Sequence, residues 1–529
     1  MSNRLKIPFH GKGALLEFGA AMFVAVLVLF QLWSLSFGSF SVMGAYGNFG
    51  DESVMSQASV RILGGQVPHR DFYSYAPGTT YLPMIAWMFL FGQDHISVQS
   101  FNFFCALILT ASLVWLGAFF SRRIGMFCGL LFAFVIFPLW PFASYHWQFL
   151  ICAILSTRLL MGRMSDFRVV MSGSFLALAA LSLPNKGAFL AFALLTVIAL
   201  FSPHGKRLKR AFLFLSGPLC IGVFLGVVLT LSGLVEPVWR ELIYNNLTFY
   251  PTLSGGSVGY GISFVLFAAA FFAPLYDPRL IRSEWRDSYL ILATVNTGLM
   301  FSVLYFSEPI HMAQVSAVML VLLVVALADF WRANSDPIGK HVLKSVSPFI
   351  MCGILIIGYW WLCLLIVLQL AALDSRPVEQ RMQIATLRGS ADLGYRWHFS
   401  INRTAFFPFT RDFSPPNDSL ARQLPVMDEI LRTRLAGQRV FFFPFAPGYY
   451  YFYKKDNPTS YDLFPSSSPP RADEEKLKQE LSSNTDALVY IKNGWLGFKE
   501  ESELMRWMRE NFPQTTELLG GEIVVMSKK

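Results

Sequence analysis

Long apolar runs recur through the first two thirds of this chain, and no other feature constrains its fold as strongly. Each covers about 17–25 residues, enough for a helix to cross a hydrocarbon core of about 30 Å. One such run could be a cleaved leader, but a series of about ten cannot. Lipid leaves backbone N–H and C=O groups unsatisfied, so these spans must be helices. Of the 529 residues, 54% are hydrophobic and only 15% are charged, against about 25% charged in an ordinary soluble protein.

The formal net charge of +9 raises nucleic acid as a partner, but the distribution of the charge argues against it. Lys and Arg gather in short loops between apolar runs, the pattern of cytoplasmic loops in membrane proteins. Arg4, Lys6 and Lys12 precede the first run, and Arg122-Arg123, Arg158 to Arg168, HGKRLKR (204–210), DPRLIRSEWR (277–286) and WRANSDPIGKHVLK (331–344) follow. With all of these inside, the spans fall near 14–38, 98–121, 124–142, 147–163, 168–184, 187–203, 211–234, 260–276, 288–307, 312–330 and 347–371. The apolar segment 79–93 is too short to cross, and counting it would invert every later basic loop. Its Tyr81 and Trp87 suit a helix lying in the outer interface.

This arrangement gives about eleven spans, a cytoplasmic N-terminus and a C-terminus across the membrane. The expected organisation is an all-α membrane domain over 1–371, with a large first outer loop over 39–97, then an extracytoplasmic α/β domain over 372–529. In the tail, β-like runs at 439–445, 487–491 and 522–526 alternate with helix-like runs at 418–436, 471–482 and 500–511, the pattern of a small α/β unit. The six cysteines lie in the hydrophobic part and form no CxxC pair, so they read as small apolar residues rather than zinc ligands.

The span centres hold almost no Asp or Glu, which argues against an ion-coupled pump. Polar groups gather in the outer loops instead, as a reaction at the membrane surface requires. The first loop opens with Asp51-Glu52 and continues SVMSQASVRILGGQVPHRDFYSYAPGTTYLP. Adjacent carboxylates can deprotonate a hydroxyl or hold a divalent metal. Asp51 can equally be the N-cap of a helix beginning near Val54. Candidate cations for an anionic leaving group on the same side are Arg70, Lys186 and Arg240. Lys186, in LPNKGAFL between two spans, is placed either to bind a lipid phosphate or to snorkel to the interface. Arg70 beside Asp71 reads also as a local ion pair, and Arg240 as part of the polar face of an interfacial helix. His146 in SYHWQ and His311 in SEPIHM are acceptor-side or metal candidates, and both read equally as interface residues.

Asp-Glu after the first span, a short helix, GGQVPHRDF, the run YSYAPG, and the tail segment RVFFFPFAPGYYYFYKKDNPTSYDLF (439–464) together resemble the GT-C glycosyltransferases. The chain is most similar to their protein O-mannosyltransferase and aminoarabinose-transferase branch. The resemblance implies a bacterial plasma-membrane enzyme with its tail in the periplasm. Such an enzyme transfers a sugar, with inversion, from a polyprenyl phosphate to a glycan, lipid or protein acceptor. It implies Asp51 as general base, Glu52 as its support or as a ligand to a divalent cation (Mg2+ or Mn2+), and Lys186, Arg70 and Arg240 as candidates for the donor phosphate. Where that family often has an Asp in the second outer loop, this chain has His146. Where the aminoarabinose branch carries a first-loop Lys, it reads SYAPG. Two other classes remain as alternatives, a lipid or glycan transporter and a non-enzymatic envelope assembly protein. The first needs polar residues along a path through the bilayer, and the second needs a partner for the tail.

Overall fold

The structure, a computed structural model, describes residues 12–38, 50–74, 76–137, 143–244, 271–272, 275, 281–303, 315, 317–335, 419–444, 446–462, 471–491 and 502–528. The first helix, α1 (Lys12–Gly38), is followed in the first loop by α2 (Gly50–Leu63). A 3-10 turn over Gly78–Tyr81 then leads into α3 (Leu82–Phe91). Next come α4 (His95–Gly117), α5 (Arg122–Leu131), α6 (Tyr145–Leu160), α7 (Asp166–Ser182), α8 (Pro184–Phe201) and α9 (Arg207–Leu231). The short α10 (Val235–Trp239) runs into a π turn over Arg240–Tyr244, and α11 (Ser283–Ser302) and α12 (Ala317–Ser335) complete this region.

The helices that fall on the expected spans overlap them, and all but α12 begin two to five residues earlier in the chain. Hydropathy marks only the part within hydrocarbon, while a helix continues into the headgroup layer, where Arg122 and Arg207 can snorkel. Most of 260–276, all of 347–371 and the expected domain boundary at 371 lie outside the described residues. Among the described residues, helices over 96–117, 184–201 and 204–231 are long and apolar enough to cross a membrane. Beyond its charged first turn, α9 is mostly exposed or half-buried apolar surface, including Leu219, Phe224 and Leu231, as a lipid-facing helix requires.

Local chemistry sets the helix starts. Asp94, Ser121, Ser144 and Ser165 each accept a backbone N–H of the first turn, for α4, α5, α6 and α7, replacing a missing intrahelical partner. Small residues let the helices approach closely, the usual means of packing where lipid removes the hydrophobic drive. A Cβ at Gly173 would run into the Phe214 carbonyl where α7 crosses α9, and one at Gly298 would lie 2.7 Å from the Ala193 Cβ. Ser156 and Ser172 lock α6 to α7, each hydroxyl donating to the other's carbonyl at 2.7 and 2.9 Å.

The tail forms a four-stranded sheet. Its elements are α13 (Ser419–Thr433), β1 (Val440–Phe443), α14 (Pro447–Tyr453), α15 (Arg471–Asn484), β2 (Ala487–Ile491), α16 (Glu503–Asn511), β3 (Gln514–Leu518) and β4 (Ile523–Ser527). The strand order is β1-β2-β4-β3, with β1 and β2 parallel and the other pairs antiparallel. The strands β1 and β2 are buried throughout, which explains their unbroken apolar sequences. The edge strand β3 reads QTTEL and is largely exposed, so its sequence lacks the apolar signature of its neighbours. The α/β character of the tail is as expected, and β3 and α14 are additions to it.

Candidate functional site

The first loop, the α7–α8 reversal and the start of α6 converge beneath α14. The helix α2 is buried over most of its first two and a half turns. Its serines remain satisfied because Ser56 and Ser59 donate to the carbonyls of Glu52 and Met55, at 2.8 and 2.7 Å. The helix starts at Gly50. Asp51 therefore lies within its first turn, not at the cap of a helix beginning near Val54, and its side chain is outside the described ones.

Glu52 is 2% exposed. Its Oε2 accepts the Ala143 N–H at 3.1 Å, and Oε1 has no partner among the described residues. Burial pushes its carboxyl up to about 8, against the opposing effect of the Ala143 hydrogen bond. Glu52 is thus a neutral acid at pH 7. Because Oε2 accepts a hydrogen bond, the proton belongs on Oε1, and Glu52 donates rather than acting as a base.

The same segment brings His146 to Lys186. Ser144 starts α6 by accepting the His146 N–H at 3.2 Å. The Lys186 Nζ lies 3.0 Å from His146 Nδ1. With Lys186 as an ammonium, which only donates, Nδ1 would accept and the imidazole proton would reside on Nε2. Lys186 owes its position to a tight reversal. Leu183 separates α7 from α8, Pro184 occupies the first helical turn, and a Cβ at Gly187 would sit 2.7 Å from the Ala180 Cα. The first loop grips this reversal, with Thr79 and Thr80 donating to the carbonyls of Leu181 and Ser182 at 2.9 and 3.1 Å.

Arg70 is exposed, with Nε and Nη2 each 2.9 Å from the Asp71 carboxylate, the local ion pair its sequence allowed. Arg240 is likewise exposed, 3.7 Å from Glu236 one turn away. His311 lies outside the described residues. The neighbours of the two arginines meet instead. His69 Nδ1 lies 2.7 Å from Glu241 Oε2, which also accepts the Ser74 N–H at 3.0 Å. Both side chains are buried, His69 Nε2 has no described partner, and the His69 backbone is left-handed at φ 68°, a strained choice for a non-glycine residue. Sequence reasoning missed this pair, because its members are 172 residues apart in the chain and nothing local joins them.

The tail docks onto the first loop through a second pair that the sequence did not reveal. Buried Arg61 donates to Asp462 at 2.9 Å, to Gln66 at 2.5 Å and to the Thr459 carbonyl at 3.2 Å. Its guanidinium covers Phe72, 4.6 Å from the ring centroid. Beside it, Tyr73 N–H donates to the Ser460 carbonyl at 2.8 Å.

As for a divalent cation, no three His, Cys, Asp or Glu side chains among the described residues come together as a ligand set, and the Asp51 side chain and His311 lie outside those residues. His146 Nδ1 is also taken by Lys186.

The Glu52 carboxyl makes a direct pH prediction. The folded protein keeps this proton up to about 8, while the unfolded chain releases it near 4.5. Within that window the folded state binds more protons, so the contribution is full below the lower value and is lost as pH rises through the upper one. Melting in detergent micelles between these limits should show wild type losing stability with rising pH relative to Glu52→Gln. Parallel curves for the two proteins would disprove the assignment.

No family model and no curated protein sequence matches this chain. Solved structures do match, two of them states of one protein. ArnT from Cupriavidus metallidurans bound to undecaprenyl phosphate is 12% identical with a TM-score of 0.54, covering 96% of this chain and 98% of its own. The apo state of the same protein is 11% identical with a TM-score of 0.52, covering 98% of each chain. Over nearly its whole length this chain therefore has the fold of ArnT, a polytopic membrane protein of the GT-C type.

Proposed function

We propose that this chain is a membrane glycosyltransferase that moves a sugar from a polyprenyl-phosphate donor to an extracytoplasmic acceptor, with inversion. The observation that carries this reading is the convergence of a buried ammonium, Lys186, and a buried neutral carboxyl, Glu52, on the segment 143–146 of a GT-C fold. The undecaprenyl phosphate bound to the ArnT of similar fold supports the choice of donor.

In the proposed reaction an acceptor hydroxyl oxygen attacks the anomeric carbon. The bond from that carbon to the phosphate oxygen breaks, and its electron pair leaves with the phosphate. Asp51, in the first turn of α2, takes the hydroxyl proton. Lys186 compensates the charge that grows on the phosphate, as preorganised cations do in buried sites. Donating to His146 Nδ1, its ammonium would place the imidazole proton on Nε2. Glu52 contributes an O–H donor, since its proton is retained at neutral pH. Arg70 and Arg240 stand at the exposed side, where they can attract an anionic headgroup from solution. In this reading the tail faces the periplasm, and the acceptor is a glycan, lipid or protein.

The test is transfer of labelled sugar in membranes from a panel of polyprenyl-phosphate sugars, comparing wild type with Asp51→Asn. Loss of about 10³-fold or more in kcat is expected for removing the base. Full activity in a folded Asp51→Asn protein would overturn the mechanism. Transport of the lipid without any bond cleavage would favour a transporter.

A further inference from the structure

The aromatic run of α14 sends its hydroxyls to different destinations. Tyr449 donates to Gln423 Oε1 at 2.9 Å, and the Tyr450 oxygen accepts the Phe442 N–H at 2.7 Å, so both serve the tail's own core. Tyr451 leaves that core. It packs across the domain contact against the cluster holding Met55, Tyr81, Ala143 and Tyr145, and α14 itself lies along α2. The Tyr451 hydroxyl is buried and, among the described residues, has no hydrogen-bond partner. Glu52 Oε1, on the α2 side of the same contact, is in the same condition. Burial pushes the Tyr451 hydroxyl up, and the Glu52 and Asp94 carboxylates push it further in that direction.

A buried hydroxyl without a partner destabilises a protein, and phenylalanine would fill the same space without that cost. Here two such oxygens, from distant parts of the chain, flank one interdomain contact. Each is a neutral O–H group that can donate and accept, since Glu52 retains its proton at neutral pH. That combination matches an alcohol, which also donates once and accepts. It does not match a phosphate, whose counter-charge lies at Lys186.

Building on the glycosyltransferase reading, we propose that the C-terminal domain forms part of the substrate site, with Tyr451 and Glu52 together binding a hydroxyl group of the donor sugar or of the acceptor. The tail is then a specificity element as well as a cover, and a sugar or acceptor lacking that hydroxyl is discriminated against.

The experiment compares Tyr451→Phe with Tyr449→Phe in the full-length protein, in detergent. In thermal melting without substrate, Tyr451→Phe should match or exceed wild type, while Tyr449→Phe, which loses a satisfied hydrogen bond, should melt lower. In transfer assays Tyr451→Phe should raise one KM by about three- to tenfold, the effect of one neutral hydrogen bond. A rise confined to the donor KM places the hydroxyl on the sugar, and a rise confined to the acceptor KM places it on the acceptor. If Tyr451→Phe melts lower, as Tyr449→Phe does, the hydroxyl is satisfied within the protein and the proposal fails. Unchanged KM and kcat would also overturn it. If wild type itself transfers no sugar, the functional reading fails, and the melting comparison still decides whether Tyr451 holds an unsatisfied hydroxyl.

Discussion

Lys186→Met is expected to lower kcat for sugar transfer by about 10²–10³-fold, the usual cost of removing one preorganised charged donor from a reaction that develops negative charge. The size follows from burial. Lys186 is 4% exposed, so its charge acts through a medium that screens it far less than water does. A surface lysine would contribute little. Methionine keeps most of the stem and its packing while removing the ammonium. It also removes the Nζ contact 3.0 Å from His146 Nδ1. The loss should fall mainly on kcat, because leaving-group charge is greatest in the transition state. Single-turnover transfer in proteoliposomes measures it directly. Activity within about threefold of wild type, well short of the expected loss, would remove Lys186 from the phosphate site.

The second large effect is on stability. Arg61→Ala should cost about 3–5 kcal/mol, the range for breaking a buried ion pair by deleting one partner. Asp462 is 6% exposed and would keep its charge away from water. Of its contacts with Arg61 and Asn457, only the latter would remain. The Gln66 and Thr459 oxygens lose their donor as well, and Phe72 loses the guanidinium above its ring. Melting in detergent should show a lower midpoint, and protease should release the tail sooner. The double variant Arg61→Met with Asp462→Leu should recover most of the loss, because it removes both buried charges. An unmoved midpoint in Arg61→Ala would show that the domains are held together elsewhere.

The two predictions differ in how far the sequence led to them. Lys186 was recognisable because a lysine between two apolar runs has few reasons to be there. Its partner was also noted, but nothing local joined position 146 to 186. Arg61 was invisible, since an arginine near the end of a polar helix is ordinary and its acceptor lies 401 residues away. The His69–Glu241 pair shows the same gap more sharply. The charged neighbours Arg70 and Arg240 drew attention, whereas the structure exposes both and buries the residues beside them. In the tail, β1, β2 and β4 were legible as apolar runs. The polar edge strand β3 was not, because only pairing with β4 makes it a strand. The helix α14 was hidden for the opposite reason, since a run of Tyr and Phe favours a strand when read locally.

The sequence alone determined that the chain has repeated membrane-crossing helices, that a polar tail with α/β patterning follows, and that its polar candidates gather in loops. Each of these depends on a residue's own transfer energy or on its near neighbours, which order in the chain records. Tertiary structure decided which polar groups meet, that Glu52 holds its proton, and that the tail closes over the first loop. Those properties depend on distance and local dielectric between residues remote in sequence, and only the folded chain fixes either.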